Sequence, residues 1–99
     1  MKVTLQQLET NSFILSKLYR DEASDINLID DFTDLHNDWN MIMRCIDRLY
    51  ELGASVSYIN QSWTIKYENT TFSMLEESKL FITNIEQIYS LIFQTCHKL

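Results

Sequence analysis

The residues best suited to chemistry sit together in one short run, Asp34-Leu35-His36-Asn37-Asp38-Trp39. An imidazole between two carboxylates could serve as a general base or a metal ligand. In that reading His36 moves the proton, with Asp34 or Asp38 beside it. The same run also reads as the first turn of a helix, with His36 and Trp39 three apart on one face and stacked as neighbours. His36 is then half-buried and donates to a nearby carboxylate or backbone group. No nucleophile lies nearby in the sequence, which favours the second reading.

The other soft ligands are His97, Cys45 and Cys96, with no Cys-x-x-Cys or His-x-x-x-His spacing, so no metal site is expected. Asp25, Asp30 and Asp31 in "DINLIDDF" lack the glycine and the alternate-position acids of a calcium loop. A chain with one glycine cannot build a glycine-rich phosphate cradle. The expectation is a protein with no cofactor and no enzymatic activity.

Charge says more. The net charge is −6, and residues 21–40 carry nearly all of it. Asp21, Glu22, Asp25, Asp30, Asp31, Asp34 and Asp38 fall there with no Lys or Arg among them. Helix-dipole complementarity accounts for Asp30, Asp31 and Asp34 ahead of a helix. It does not account for Asp21, Glu22 and Asp25. Self-repulsion in such a run is relieved by a basic partner, so all seven acids are candidate partner-binding residues, with a solvated connection as the alternative. Direct nucleic-acid binding is disfavoured, because phosphate contacts need a basic surface.

The elements that carry these residues are legible from spacing. Ninety-nine residues, 45% of them hydrophobic, suffice for one domain with a packed core over 1–99. "TLQQ" resembles a capping box, with Thr4 at the cap of a helix reaching Arg20 and Leu5, Leu8, Leu15, Leu18 and Tyr19 as its apolar stripe. Asn11 and Ser12 interrupt that stripe and mark a potential break. Ile26, Leu28 and Ile29 are expected to tuck inward from the acidic connection. Phe32, Leu35, Trp39, Ile42, Ile46 and Leu49 recur at spacings of three and four, predicting a second helix that stops at Gly53.

The period then changes to two. "ASVSYI" and "SWTIKY" predict a hairpin turning at Asn60-Gln61, and "TFSM" a short third strand. Tyr58, Trp63 and Tyr67 share a face that reads as core beneath a helix; a base-stacking platform is the alternative. "SMLE" offers Ser73 as the cap of a last helix, with Phe81, Ile82, Ile85, Ile88, Tyr89, Ile92, Phe93, Cys96 and Leu99 as its stripe. The fold class is therefore α+β, a small antiparallel two- or three-stranded sheet packed by helices in the order α-α-β-β-(β)-α. No apolar run is long enough to span a membrane. "MKVTLQQLET" lacks the apolar core of a signal peptide, so a cytoplasmic protein is expected. In that compartment Cys45 and Cys96 usually stay reduced, although two helices could bring them together.

Two segments carry a resemblance. "LIDDFTDLHNDWNMIMRCIDRLYELGA" and "IEQIYSLIFQTCHK" resemble small uncharacterised proteins of Bacteroidetes phages and mobile elements. Leu28, Ile29, Phe32, His36, Trp39, Met43, Ile46, Leu52 and Gly53 carry the first match; Ile85, Glu86 and Tyr89 carry the second. Leu35, Met41 and Arg44 stand where that group has Tyr, Trp and Pro. The resemblance implies an α+β domain of phage-like origin and transfers no activity. Together with the acidic run it leads to an expected function: a phage- or mobile-element-type accessory protein binding a host protein with a basic groove, with an anti-CRISPR-like inhibitor of a defence nuclease as the concrete version. A self-associating module, as a homodimer, is the alternative.

Overall fold

The computed structural model describes residues 4–19, 34–74 and 82–99. It is an α+β fold in the expected order, with three α-helices and a three-stranded antiparallel sheet among the described residues.

Thr4 starts helix α1, Leu5–Leu18. Its hydroxyl accepts from the Gln7 backbone N–H at 3.1 Å, and the Gln7 side chain accepts from the Thr4 N–H at 2.9 Å. This reciprocal bonding is the capping box, and it satisfies two donors that a helix start otherwise leaves bare. The buried face is Asn11, Ile14, Leu15 and Leu18. It differs from the expected stripe at both ends of the reasoning. Leu5 and Leu8 are exposed, because the first two turns extend past the core. Asn11 does not break the helix; it belongs to the inward face.

Leu35–Asn37 form a single 3₁₀ turn, and helix α2 runs from Trp39 to Glu51. The expected continuous helix is thus interrupted at Asp38, whose backbone is extended. The reason is a cap: the Asp38 carboxylate accepts from the Asn40 N–H at 2.9 Å and fixes where α2 begins. Ile42, Cys45, Ile46 and Leu49 form the buried face. Trp39 is 42% exposed, and Met43 and Tyr50 are exposed too, so the apolar stripe read through Trp39 is corrected. Gly53 ends α2 as expected, at φ +99°. Ala54 N–H donates to the Leu49 carbonyl at 2.9 Å and Gly53 N–H to the Tyr50 carbonyl at 3.1 Å. That pair is a Schellman motif, in which glycine holds the left-handed position without steric penalty.

Strands β1 (Ser55–Ile59), β2 (Ser62–Tyr67) and β3 (Thr70–Ser73) form the sheet in sequence order. Asn60 and Gln61 both have positive φ, 53° and 62°, the signature of a type I′ turn whose twist suits a two-residue hairpin. Val56, Ile65 and Phe72 lie in one row across the three strands and face the helices. Alternate positions, such as Ser57, Thr64 and Ser73, form a polar row on the opposite face.

Ser73 is the last residue of β3, not a helix cap. The last helix, α3, is Asn84–Cys96, capped by Thr83. The Thr83 hydroxyl accepts from the Glu86 N–H at 3.2 Å and donates to the Glu86 carboxylate at 3.1 Å. Helix α3 lies across β2 and β3 and meets α1, α2 and the 3₁₀ turn, so it is the centre of the core. Ile88, Leu91, Ile92 and Cys96 supply its buried surface. Gln87, also buried, donates nothing to the apolar core but accepts the Trp63 N–H at 2.8 Å. Trp63 N–H points towards the β3 side, one residue beyond where β3 ends. The side chain of α3 thus takes the place of a missing strand partner.

Arg48 joins α1 to α2. Its Nε donates to the Leu18 carbonyl at 2.5 Å, its Nη1 bonds Glu51 at 2.7 Å, and its guanidinium lies 5.5 Å over the Tyr19 ring. One side chain therefore satisfies a carbonyl at the end of α1 and stacks on the residue that follows.

Candidate functional site

Of the seven acids singled out by charge, Asp21, Glu22, Asp25, Asp30 and Asp31 lie outside the described residues, as do Ile26, Leu28, Ile29, Phe32 and Phe81. Asp34 and Asp38 both stand at the entry to α2. Asp34 is exposed and makes no side-chain cap bond; Asp38 is the cap of α2. Neither forms an ion pair with Lys or Arg among the described residues, where the ion pair is Arg48–Glu51. Asp38, at the N-terminus of α2, is nevertheless placed where the positive end of the helix dipole favours it, by about 0.3–1 kcal/mol.

His36 is 7% exposed and does not bond either acid. Its Nδ1 faces the Asn11 Nδ2 at 3.3 Å, and the Asn11 Oδ1 accepts the Tyr89 hydroxyl at 2.5 Å. The Asn11 amide, with both a donor and an acceptor end, thus bonds an imidazole on one side and a phenol on the other. The ring neighbour of His36 is Tyr89, edge-on at 6.1 Å, and not Trp39. Asn11 is itself 3% exposed, so these three side chains form a buried polar link between α1, the 3₁₀ turn and α3. Burial pushes the Tyr89 phenol up to about 12, against a lowering side-chain hydrogen bond from Thr10.

His36 and Tyr89 line a cleft of about 430 Å³, with Gln7, Asn37, Met74, Ile82, Glu86 and Ser90 completing its wall. A general base needs a partner that stabilises its protonated form. Here the group bonded to the imidazole Nδ1 is the neutral Asn11 amide, and neither Asp34 nor Asp38 bonds the ring.

Cys45 and Cys96 are buried free thiols. Burial pushes the Cys96 thiol up to about 12, and burial with the neighbouring Cys96 raises Cys45 further. Both are held as thiols, the opposite of what a nucleophile or zinc ligand needs. Among the described residues no three His, Cys, Asp or Glu side chains converge as a metal site would require, and no helix is long and apolar enough to cross a membrane.

The second feature is a surface. Trp39, Met43 and Tyr50 on α2 and Tyr58 on β1 are exposed; Ile59, also exposed, lies on the opposite face of the sheet from Tyr58. The rings are contiguous: Tyr58 and Trp63 lie 4.6 Å apart, Trp63 and Trp39 6.1 Å. Tyr50 closes the far end, donating its hydroxyl to the Val56 carbonyl at 2.6 Å. Trp63 and Tyr67 are half-buried against the core as expected, whereas Tyr58 is 44% exposed, so the all-core reading is corrected at Tyr58.

The charge reading missed both the Asn11 link and this surface. Positions 11, 14, 15 and 18 share one helical face, which was the available signal for Asn11. Comparison with protein-family models, curated proteins and solved structures gives no match for this chain.

Proposed function

We propose that this protein is a binding domain, of phage or mobile-element type, that docks on a host protein through the α2–β1 face. The observation that carries this is the exposure of Trp39, Met43 and Tyr50 on α2 and Tyr58 on β1, with Trp39 and Tyr58 joined through the Trp63 ring. Large apolar side chains gathered on one face are the usual anchors of protein interfaces, and Trp and Tyr dominate their energetics. Asp34 and Asp38 lie at the entry to α2 and the acids at 21–31 precede it in the chain, while along α2 Asp47 and Glu51 are balanced by Arg44 and Arg48. The occupant that fits is a protein groove with an apolar floor and a Lys/Arg rim, such as the nucleic-acid channel of a defence nuclease. There the acidic rim would compete with nucleic acid and the aromatics would hold the complex.

The test is capture from host lysate with the wild type, a Trp39→Ala/Tyr58→Ser variant and an Asp21→Lys/Glu22→Lys/Asp25→Lys variant. The aromatic change should abolish capture of one specific host protein at any ionic strength. The charge reversal should weaken capture most at low salt, where exposed charges act furthest. Retention of the same protein by the aromatic variant, with its fold intact, refutes the proposal.

A second reading is self-association. Strand β1, "SVSYI", is an edge of the sheet among the described residues and carries no charge or proline, the features that usually protect an edge. Light scattering separates the readings: a dimer dispersed by Ile59→Lys supports self-association.

A further inference from the structure

We propose that the docking partner supplies an extended segment that pairs as an added strand along the open edge of β1, beside the apolar flank of α2. This rests on the docking reading and specifies how the contact is made.

The register fixes which backbone groups the edge offers. Ile59 and Ser62 flank the two-residue turn and are paired, so they close the hairpin with hydrogen bonds. Bonded and non-bonded pairs alternate along an antiparallel ladder. Ser57–Thr64 and Ser55–Lys66 are therefore bonded, and Val56 and Tyr58 turn their N–H and C=O away from β2. Tyr50 meets one of these groups from outside, its hydroxyl reaching the Val56 carbonyl at 2.6 Å. The Val56 N–H and both backbone groups of Tyr58 are left to another strand, since among the described residues β1 pairs with β2 alone.

The same bond places the Tyr50 side chain at that edge. Trp39, Met43 and Tyr50 lie within about 40° of one another round α2. On the far side of the helix Arg48 reaches the end of α1. The exposed apolar flank of α2 and the edge of β1 thus form one groove. A strand laid in it aims alternate side chains at that flank and the others towards the face of the sheet that carries Ser57. The fitting segment is apolar at every second position. Its charge follows as well. A chain of net charge −6 repels a second copy of itself, and Asp34 and Asp38 adjoin the Trp39 end of the groove. A segment carrying Lys or Arg at that end relieves the repulsion.

The test selects ligands from a random peptide library displayed on phage and follows the enriched peptide on ¹⁵N-labelled protein by NMR. Enriched sequences should alternate apolar and polar residues and carry Lys or Arg. Binding should slow amide exchange at Val56 and Tyr58 and leave Ser55 and Ser57, already bonded within the hairpin, unchanged. N-methylation of the peptide should weaken binding about tenfold at alternate positions only, the factor that corresponds to one good hydrogen bond. Val56→Pro removes the outward N–H and spares the ladder, since edge strands tolerate proline there, and should weaken the peptide to a similar degree. Failure to enrich such sequences, or binding indifferent to N-methylation, overturns the proposal, and the N-methyl series decides the matter if Val56→Pro does not fold. A wild-type dimer in light scattering that Val56→Pro disperses puts a second copy on the edge and overturns the assignment to a partner. Host capture that is lost with Trp39→Ala/Tyr58→Ser but kept with Val56→Pro upholds the docking face and overturns strand addition.

Discussion

Replacing Asn11 with Ala tests the buried polar link, because two readings of that residue predict opposite signs. As a polar residue on a solvated helix face, Asn11→Ala should stabilise α1, since Ala is the better helix former by up to about 0.7 kcal/mol. In the structure Asn11 is 3% exposed and serves His36 and Tyr89 at once. Its removal leaves His36 Nδ1, in a ring only 7% exposed, without its amide partner. An orphaned buried polar atom costs about 1–3 kcal/mol. Tyr89 is half-buried and lines the cleft, so water can replace its lost acceptor and the further loss is about 0.5–1.5 kcal/mol. Less the gain in propensity, the net loss is about 1–4 kcal/mol. For a chain of 99 residues each kcal/mol lowers Tm by roughly 4–8 °C. Thermal and urea melts followed by circular dichroism measure this directly. A double-mutant cycle with His36→Phe should return a coupling of about 0.5–3 kcal/mol, because the residues share one bond. An Asn11→Ala protein with unchanged or raised Tm would refute the assignment of Asn11 to the core.

Stability should fall in alkali. The Cys96 thiol titrates at about 12 in the fold against 9.0 for an ordinary thiol, and Cys45 is raised in the same sense. The unfolded chain therefore loses these protons first, so the stabilisation is complete below pH 9 and is lost as pH rises towards 12, by about 1.4 kcal/mol per pH unit for each thiol. Urea melts across this range should show the decline, and Cys96→Ala should make it shallower. At the β1–β2 turn, Gln61→Gly gives the favoured Asn-Gly pair and relieves a side chain held at φ 62°, so the unfolding midpoint in urea should rise by an equivalent of about 0.5–1 kcal/mol. Asp38→Ala removes the cap of α2 and should lower stability by about 1 kcal/mol, with faster amide exchange at Asn40 as the local signature.

Much of the scaffold was legible because local chemistry and tertiary packing agree there. Thr4 and Gln7 cap α1 through bonds three residues apart. Gly53 and the Asn60-Gln61 turn likewise declare themselves through backbone conformations that few residues tolerate. The last helix was misplaced because Ser73–Glu76 and Thr83–Glu86 both fit the capping pattern, and Ser73 is claimed by pairing with Thr64 in the sheet. The site was less legible. Asn11 and Tyr89 are 78 positions apart, and only their meeting across the core gives Asn11 a purpose. Gln87 has the same character: its burial makes sense once β3 is seen to end before Trp63 is paired. The acidic run was plain in the sequence, but its described members, Asp34 and Asp38, are positioned first by helix initiation.

Asp38 connects the scaffold to the proposed docking face. Were 32–52 one unbroken helix, His36 would lie about 60° from Trp39 on the flank of the α2 stripe, away from its buried side. The extended backbone at Asp38 ends the 3₁₀ turn and starts α2 afresh, so Leu35 and His36 are aimed independently of the helix that follows, and both are buried. Trp39 is the first residue of α2 and keeps its fixed helical relation to Ile42, Cys45, Ile46 and Leu49. It stands at the flank of that buried face, where its ring is 42% exposed and meets Trp63 at 6.1 Å. One carboxylate–amide bond at the start of the helix therefore frees the preceding turn to place His36 against Asn11, while the helix itself carries Trp39 to the docking face.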